Sequence, residues 1–582
     1  MRMQIPYRHT GVGLGVAALT VGALVLGGSW SVTKAAGDPE LGSLSGKVTA
    51  TKSFQGAEVY IRNVDKHVLY MVYTEAGRYE AVKLLPGKYQ VSVKKNGFSG
   101  EVKTLDLKPG STLTADFALQ EGSYAPAQLA VFNGPGTPRP QPTPVSYDEL
   151  YPPGPGKAVV ERTCVACHGI NFLPTHRGGW TQASANAALD LMMNAGGKTT
   201  RGTGMITPEM MSPQDREAVV AYLAKNFAPN GPTRSVKVED YPIDEKALGR
   251  AMYIEYYLPL DPPSTDAKGG PMGRGRRAQE PHFDAKGNVW YTDRGIPNRI
   301  GMVDPRTAEF HDYVLPVPTA DPHGLTVDAQ GHVWWSETRG FHLGQLDPKT
   351  NEMQRYDMNI TGDMEGAQGH TPVLDSKQNI FFSVIIGNKI GKWDRTTQKV
   401  VKLYDPPTKN SYPYGIFIDK DDKIWFAEYA GCNITRFDPI TEKFTEFPPL
   451  TKPCQIRRLG MDGKGIVWFG IYSHGKLGKL DPATGKMVEY KLPLAYAQPY
   501  DAWPDADGNV WIPDDGQGGT LIKFDPKTEK FTYFPAPQEG DMPKLAITRQ
   551  GAIWYTPRSA VNAAAGVLYP DKTKITTLGA YY

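Results

Sequence analysis

The chain has 582 residues, with 64 Lys and Arg against 61 Asp and Glu, for a net charge of +3. That length asks for several domains, and the near-neutral balance gives no general reason to expect nucleic acid as a partner. Hydrophobic residues at 40% exclude wholesale disorder, 4 Cys are too few for a disulfide scaffold, and 62 Gly with 49 Pro imply many turns and mainly β structure.

Arg2, Arg8 and His9 precede an uncharged apolar run at 11–30, and Ala35 and Ala36 follow it, so residues 1–36 are expected to be a cleaved secretory signal, with an uncleaved anchor helix as the alternative. No later stretch is apolar enough to span a bilayer, so a periplasmic protein is expected, with no membrane partner once the signal is removed. From 43 to 120, short runs alternate apolar and polar residues between Gly-rich turns, the pattern of a small β-sandwich. Its stretch YEAVKLLPGKYQVSVKKNGF resembles the carboxypeptidase regulatory-like (transthyretin-like) domain, which implies a spacer or docking role; carbohydrate binding stays open. Residues 121–156 hold nine prolines, including PGTPRPQPTP, and are expected to form an extended linker without ladder or helix.

Residues 157–228 turn helical. They carry CVACH at 164–168, where Cys164 and Cys167 suit thioether bonds to haem vinyl groups and His168 suits an axial nitrogen to iron. A zinc or redox CxxC is the alternative, but the remaining two Cys lie far along the chain. The region resembles a monohaem class I cytochrome c, which implies one covalent haem c and a distal Met before the last helix. Met205, seven residues ahead of the Ser212 helix start, suits best; Met210 and Met211 compete, and His176 is the runner-up for a bis-His site.

A connector at 229–279 includes AMYIEYYLPLD at 251–261, which reads as one more outer strand that helps to close the following ring. From 280 to 582 the chain repeats, with an aromatic at Trp290, Trp334, Phe381, Trp425, Trp468, Trp511 and Trp554, at intervals of 43 to 47 residues. Units of that size with four short strands predict a seven-bladed β-propeller. In such a fold strands A to D run outward from the axis, and the B–C and D–A loops share one face, the mouth. Aligning the blades on their aromatic puts Gln279, His323, His370, Tyr414, Arg457, Tyr500 and Lys544 at the mouth end of strand A. The matching end of strand B holds Asp293, Glu337, Val384, Glu428, Ile471, Asp514 and Pro557. His323 with Glu337, and His370 one blade on, suit a general base with an orienting carboxylate, or ligation of a divalent ion. A polar propeller rim is the plainer reading. Cys432 and Cys454 fall on mouth-face loops of adjacent blades, where a disulfide is expected in an oxidising compartment.

PHGLTVDAQGHVWWSE and YPYGIFIDKDDKIWFAE, each followed by a DPxT turn, resemble streptogramin (virginiamycin B) lyase propellers. That resemblance implies His323 as catalytic base, Glu337 as its partner, and Mg2+ or another divalent ion nearby, with Asp321, Asp293 and His370 in support. Several blades here lack the Glu. The expected architecture is therefore multidomain and mainly β: β-sandwich, all-α cytochrome c and seven-bladed propeller. Joining a haem to the propeller favours an oxidoreductase that takes electrons from a small-molecule substrate at the mouth and hands them to a periplasmic electron-transfer partner. A metal-dependent C–O lyase with an accessory cytochrome, and a non-catalytic docking propeller with a cytochrome relay, are the alternatives.

Overall fold

The computed structural model describes residues 39–122, 143–165, 169–176, 179–193, 206, 211–237, 240–260, 275–358, 368–516, 519–538, 540–558 and 562–582. All of them belong to one compact unit, Pro39–Tyr582, and the expected signal at 1–36 lies outside them. Among the described residues no helix is long and apolar enough to cross a membrane.

Seven sheets surround one axis. Six are closed within their own repeat, from blade 1 (His282–Phe283, Val289–Asp293, Arg299–Asp304, Glu309–Val314) to blade 6 (Trp503–Pro504, Val510–Asp514, Thr520–Asp525, Lys530–Pro535). All seven signature aromatics are buried in strand B. Trp is favoured there because its indole can donate to the A–B turn. Trp290, Trp334, Trp425, Trp468 and Trp511 donate Nε1 to Asp284, Asp328, Asp419, Asp462 and Asp505, six residues earlier. The same carboxylates cap the turn, as where Asp328 accepts from the backbone N–H of Gln330 and His332. In blade 7 the turn residue is Thr548, and Trp554 Nε1 has no partner.

Blade 7 supplies only three strands from its own repeat, Leu545–Ile547, Ile553–Tyr555 and Ala564–Tyr569. Its fourth is Met252–Tyr257, antiparallel to Ala564–Tyr569, so the strand expected to help close the ring does so as the outer strand of the last blade. That strand's far edge pairs with Val68–Tyr73 of the sandwich, giving one eight-stranded sheet through propeller and sandwich. The core is correspondingly shared, with Val59, Tyr70 and Val91 of the sandwich packed in one cluster with Ile254, Trp554 and Val567.

Glu255 lies inside this junction and accepts from Tyr555 Oη and Gln538 Nε2, both at 2.9 Å. Burial raises its carboxyl to about 7, against the opposing hydrogen bonds. An acid with a raised folded pKa holds its proton more tightly than the unfolded chain does, so folding stability should fall as pH rises from about 4.5 to 7. The loss should reach roughly 3 kcal/mol and be constant above that window. Denaturant titrations across that range should show a shallower pH slope in Glu255→Gln than in the wild type.

The helical domain contains a π-helical turn, Val160–Val165, and the helices Gln182–Met193 and Pro213–Asn226. The last opens as its sequence predicts: Ser212 Oγ accepts from Asp215 N–H at 3.1 Å while Asp215 Oδ2 takes the Ser212 N–H. The domain is larger than 157–228. Thr143–Val145 pairs in parallel with Arg234–Val236, the helix Tyr147–Leu150 follows, and Leu150, Tyr151 and Val236 join the helical core. The end of the Pro-rich run therefore does enter a ladder, contrary to expectation. Thr143 N–H donates to Thr233 O and Lys237 N–H to Val145 O, so Pro144 sits where no donor is needed.

Candidate functional site

In blades 2 to 5 the pairing of strands A and B shifts register near the mouth, between Pro322 and Leu325, Gly369 and Pro372, Pro413 and Ile416, and Ile456 and Leu459. The displaced residues include His323, His370, Tyr414, Arg457 and Arg458. Such an irregularity re-aims a side chain, and here those of successive blades meet. The His323 and His370 rings lie 3.9 Å apart and the His370 and Tyr414 rings 4.1 Å apart. Tyr414 Oη is 2.6 Å from Tyr500 Oη, and Arg457 donates to Tyr414 Oη at 3.2 Å. The Arg457 guanidinium also lies over the rings of Tyr472 at 4.1 Å, Tyr500 at 4.4 Å and Tyr429 at 5.4 Å. Gln279 continues the series to His323, with 2.7 Å between Gln279 Nε2 and His323 Nε2, and Lys544 pairs with Glu280.

The second ring does not line the axis. Glu337 accepts from Arg355, with Oε2 2.7 Å from Nη2, and makes no hydrogen bond to His323. Asp293 is likewise held by Arg276 and Arg299, and Glu428 by Asn433 and Thr435. Successive strand residues face opposite sides, so the axial residues are those one position later: Arg294, Thr338, Ile385, Tyr429, Tyr472, Asp515 and Arg558. The same repeat alignment, advanced by one residue, would have found them. Arg294 bridges Asp321, at 2.7 and 2.5 Å, and Gln279 Oε1 at 3.0 Å. Burial opposes ionisation of Asp321, yet Arg294 holds its carboxyl well below the usual range.

Asp321 and Glu337 do not converge: the first accepts from Arg294 and the second from Arg355. Among the described residues no three His, Cys, Asp or Glu side chains converge as metal ligands. The predicted base is itself hydrogen-bonded. Because Arg294 can only donate, it fixes Gln279 Oε1 on its own side and turns the Gln279 amide N–H to His323 Nε2. The His323 proton is then on Nδ1, and its basic nitrogen is already occupied. Both imidazoles are kept neutral, first by burial and then by their neighbours, Arg294 and Arg458 for His323, and His323 and Arg458 for His370. At Tyr500, burial raises the phenol, but Arg457 and Arg558 outweigh it and bring it below its ordinary value.

In the helical domain Cys164 is a buried thiol of the core, and Met211 is buried there too. Cys167, His168, Met205 and Met210 lie outside the described residues. His176 is exposed and stacks on Trp180 at 4.2 Å, a surface arrangement. This domain meets the mouth face. Gly169, directly after His168, has φ +79°, and a Cβ built on it would lie 3.3 Å from Gln498 Oε1; the Tyr147 ring stacks on Tyr496 at 5.4 Å. Gln498 stands two residues before Tyr500 and was not singled out by the repeat, because its partner comes from another domain.

Cys432 and Cys454 are joined in a disulfide between the B–C loop of blade 4 and the loop entering blade 5. With a sequence separation of 22, replacing both by Ser should cost about 3 kcal/mol, read as a lower denaturation midpoint that reductant reproduces in the wild type.

Models of three families match the chain: the virginiamycin B lyase family at 279–521 and 407–569, the carboxypeptidase regulatory-like domain at 43–120, and cytochrome c at 154–226. None of the curated proteins matches. Among solved structures, virginiamycin B lyase from Staphylococcus aureus is 22% identical over 50% of this chain and 94% of its own, with a TM-score of 0.45. A streptogramin B lyase is 22% identical over 55% and 97%, with a TM-score of 0.47. Through a propeller that occupies half of its length, and with a carboxypeptidase regulatory-like and a haem-binding cytochrome c domain joined to it, the chain belongs to the virginiamycin B lyase family.

Proposed function

We propose that the protein is an exported oxidoreductase in which a small molecule held at the propeller mouth gives electrons to haem c, and a periplasmic electron-transfer protein takes them onward. The observation that carries this is the seating of the helical domain on the mouth face, with Gly169, the residue after the CVACH motif, against Gln498 and Tyr147 on Tyr496. Cys164 and Cys167 would hold the haem through thioethers, and His168 and Met205 would ligate its iron; the burial of Cys164 fits this role. When bound, the haem supplies a one-electron acceptor. The chain's own residues do the rest: Arg294 and Gln279 fix the His323 ring, Thr371 and Arg458 fix His370, and the tyrosines around Arg457 wall the axis against water. The Cys432–Cys454 disulfide supports an oxidising compartment.

A lyase reading has the family match in its favour, but it needs His323 as a free base with Glu337 beside it. Anaerobic titration of the ferric protein with hydroxy acids, aldehydes, phenols and thiols separates the readings. Haem reduction at a rate that saturates with donor is expected. An elimination product with an unchanged haem spectrum would favour the lyase, and reduction by a protein donor alone would favour a docking relay.

A further inference from the structure

Three polar atoms at the propeller axis are buried without a hydrogen-bond partner: His323 Nδ1, His370 Nε2 and Arg458 Nε. His323 and His370 are 5% and 1% exposed and Arg458 is 7% exposed. Their protons follow from their neighbours. The Arg294–Gln279–His323 series places a hydrogen on His323 Nδ1. The adjacent His370 carbonyl accepts from Ser336 Oγ at 2.5 Å and also acts on the His323 ring, without a well-formed hydrogen bond to Nδ1. Arg458 Nη2 donates to Thr371 Oγ1 at 3.1 Å, and Thr371 Oγ1 lies 2.8 Å from His370 Nδ1. The arrangement that leaves fewest groups unsatisfied has Thr371 donating to Nδ1, so that His370 carries its hydrogen on Nε2. All three orphans are then donors. A buried donor left unpaired costs about 1–3 kcal/mol, and native structures keep few of them.

The charge of the surroundings is mixed. Arg294 is paired with Asp321 and Arg558 with Asp541, whereas Arg457 is surrounded by tyrosines and Arg458 donates to Thr371. Of the nearby carboxyls, Asp515 is raised by burial and by Asp541 to about 8, while Asp501, raised by burial to about 6 despite Arg458, stays mostly ionised near neutral pH.

We propose that the axial end of the mouth is an acceptor-only site that takes a carboxylate, with His323 Nδ1–H, His370 Nε2–H and Arg458 Nε–H donating to its oxygens. This rests on reading the mouth as the substrate site and narrows the substrate class to organic acids.

Calorimetric titration of the ferric holoprotein with acetate and oxalate, against acetamide and choline at matched ionic strength, tests it without any redox step. Saturable binding of the two acids and none of the neutral or cationic probes is expected, with affinity at least about 10-fold weaker in His370→Phe and in Arg458→Met. Absence of saturable acid binding, or binding unchanged in both variants, would overturn the proposal. Should a variant fail to fold, the wild-type contrast between acetate and acetamide decides alone. Binding of acids with no haem reduction by any organic acid would leave this site standing and remove the oxidoreductase reading; haem reduction with no acid binding would do the reverse.

Discussion

Replacing Cys164 and Cys167 together by Ser should leave a full-length chain whose denatured gel band shows no haem peroxidase stain, where the wild-type band stains strongly. Thioether bonds survive denaturation, whereas axial coordination does not, so the stain reads covalent attachment alone. The loss should be complete rather than partial. The helical domain should also melt less cooperatively, because Cys164 stands in its apolar core together with Met211. The propeller and sandwich melting should persist, since their shared core lies elsewhere. A stained double variant would remove the haem c assignment. In a chain that keeps both cysteines, Met205→Ala should abolish the long-wavelength band of Met-ligated ferric haem, and Met210→Ala and Met211→Ala should leave it.

The largest structural effect is expected at Ile254. It is fully buried and lies opposite Val567 of the propeller on one side and Tyr70 of the sandwich on the other. Proline there removes a ladder donor in the interior of a sheet, a position that excludes it. The lost bond, the orphaned carbonyl and the displaced packing together should cost at least about 4 kcal/mol. Because one strand closes the ring and carries the sandwich, Ile254→Pro should loosen both at once. Calorimetry should show the shared transition falling while the haem spectrum holds, and limited proteolysis should release the sandwich. A variant that melts like the wild type would show that Met252–Tyr257 does not close the ring.

The blades and their axial residues were legible because a repeat imposes one register on every unit: the seven aromatics fixed strand B, and the inward end of strand A followed. What a single strand pattern does not carry is which way a side chain turns at the strand's end. Glu337 and His323 are near in the pairing, yet the register shift at His323 and the pull of Arg355 send them to different neighbours. Gln498 and Gly169 meet through domain packing, for which neither sequence has a local sign. The sandwich edge that extends blade 7 is hidden for the same reason, since Val68–Tyr73 reads as an ordinary buried strand whichever partner it takes. Pro144 escaped because proline was read as a bar to pairing, although it bars only the positions that must donate.

The measurement that bears most directly on electron entry through the mouth is anaerobic stopped-flow reduction of the ferric haem by the fastest saturating organic donor, in the wild type and in His370→Phe. With equal haem spectra and equal reduction by dithionite, the variant should be reduced by the organic donor at least about 10-fold more slowly at low concentration. Equal rates in the two proteins would mean that electrons reach the haem without passing through the propeller mouth.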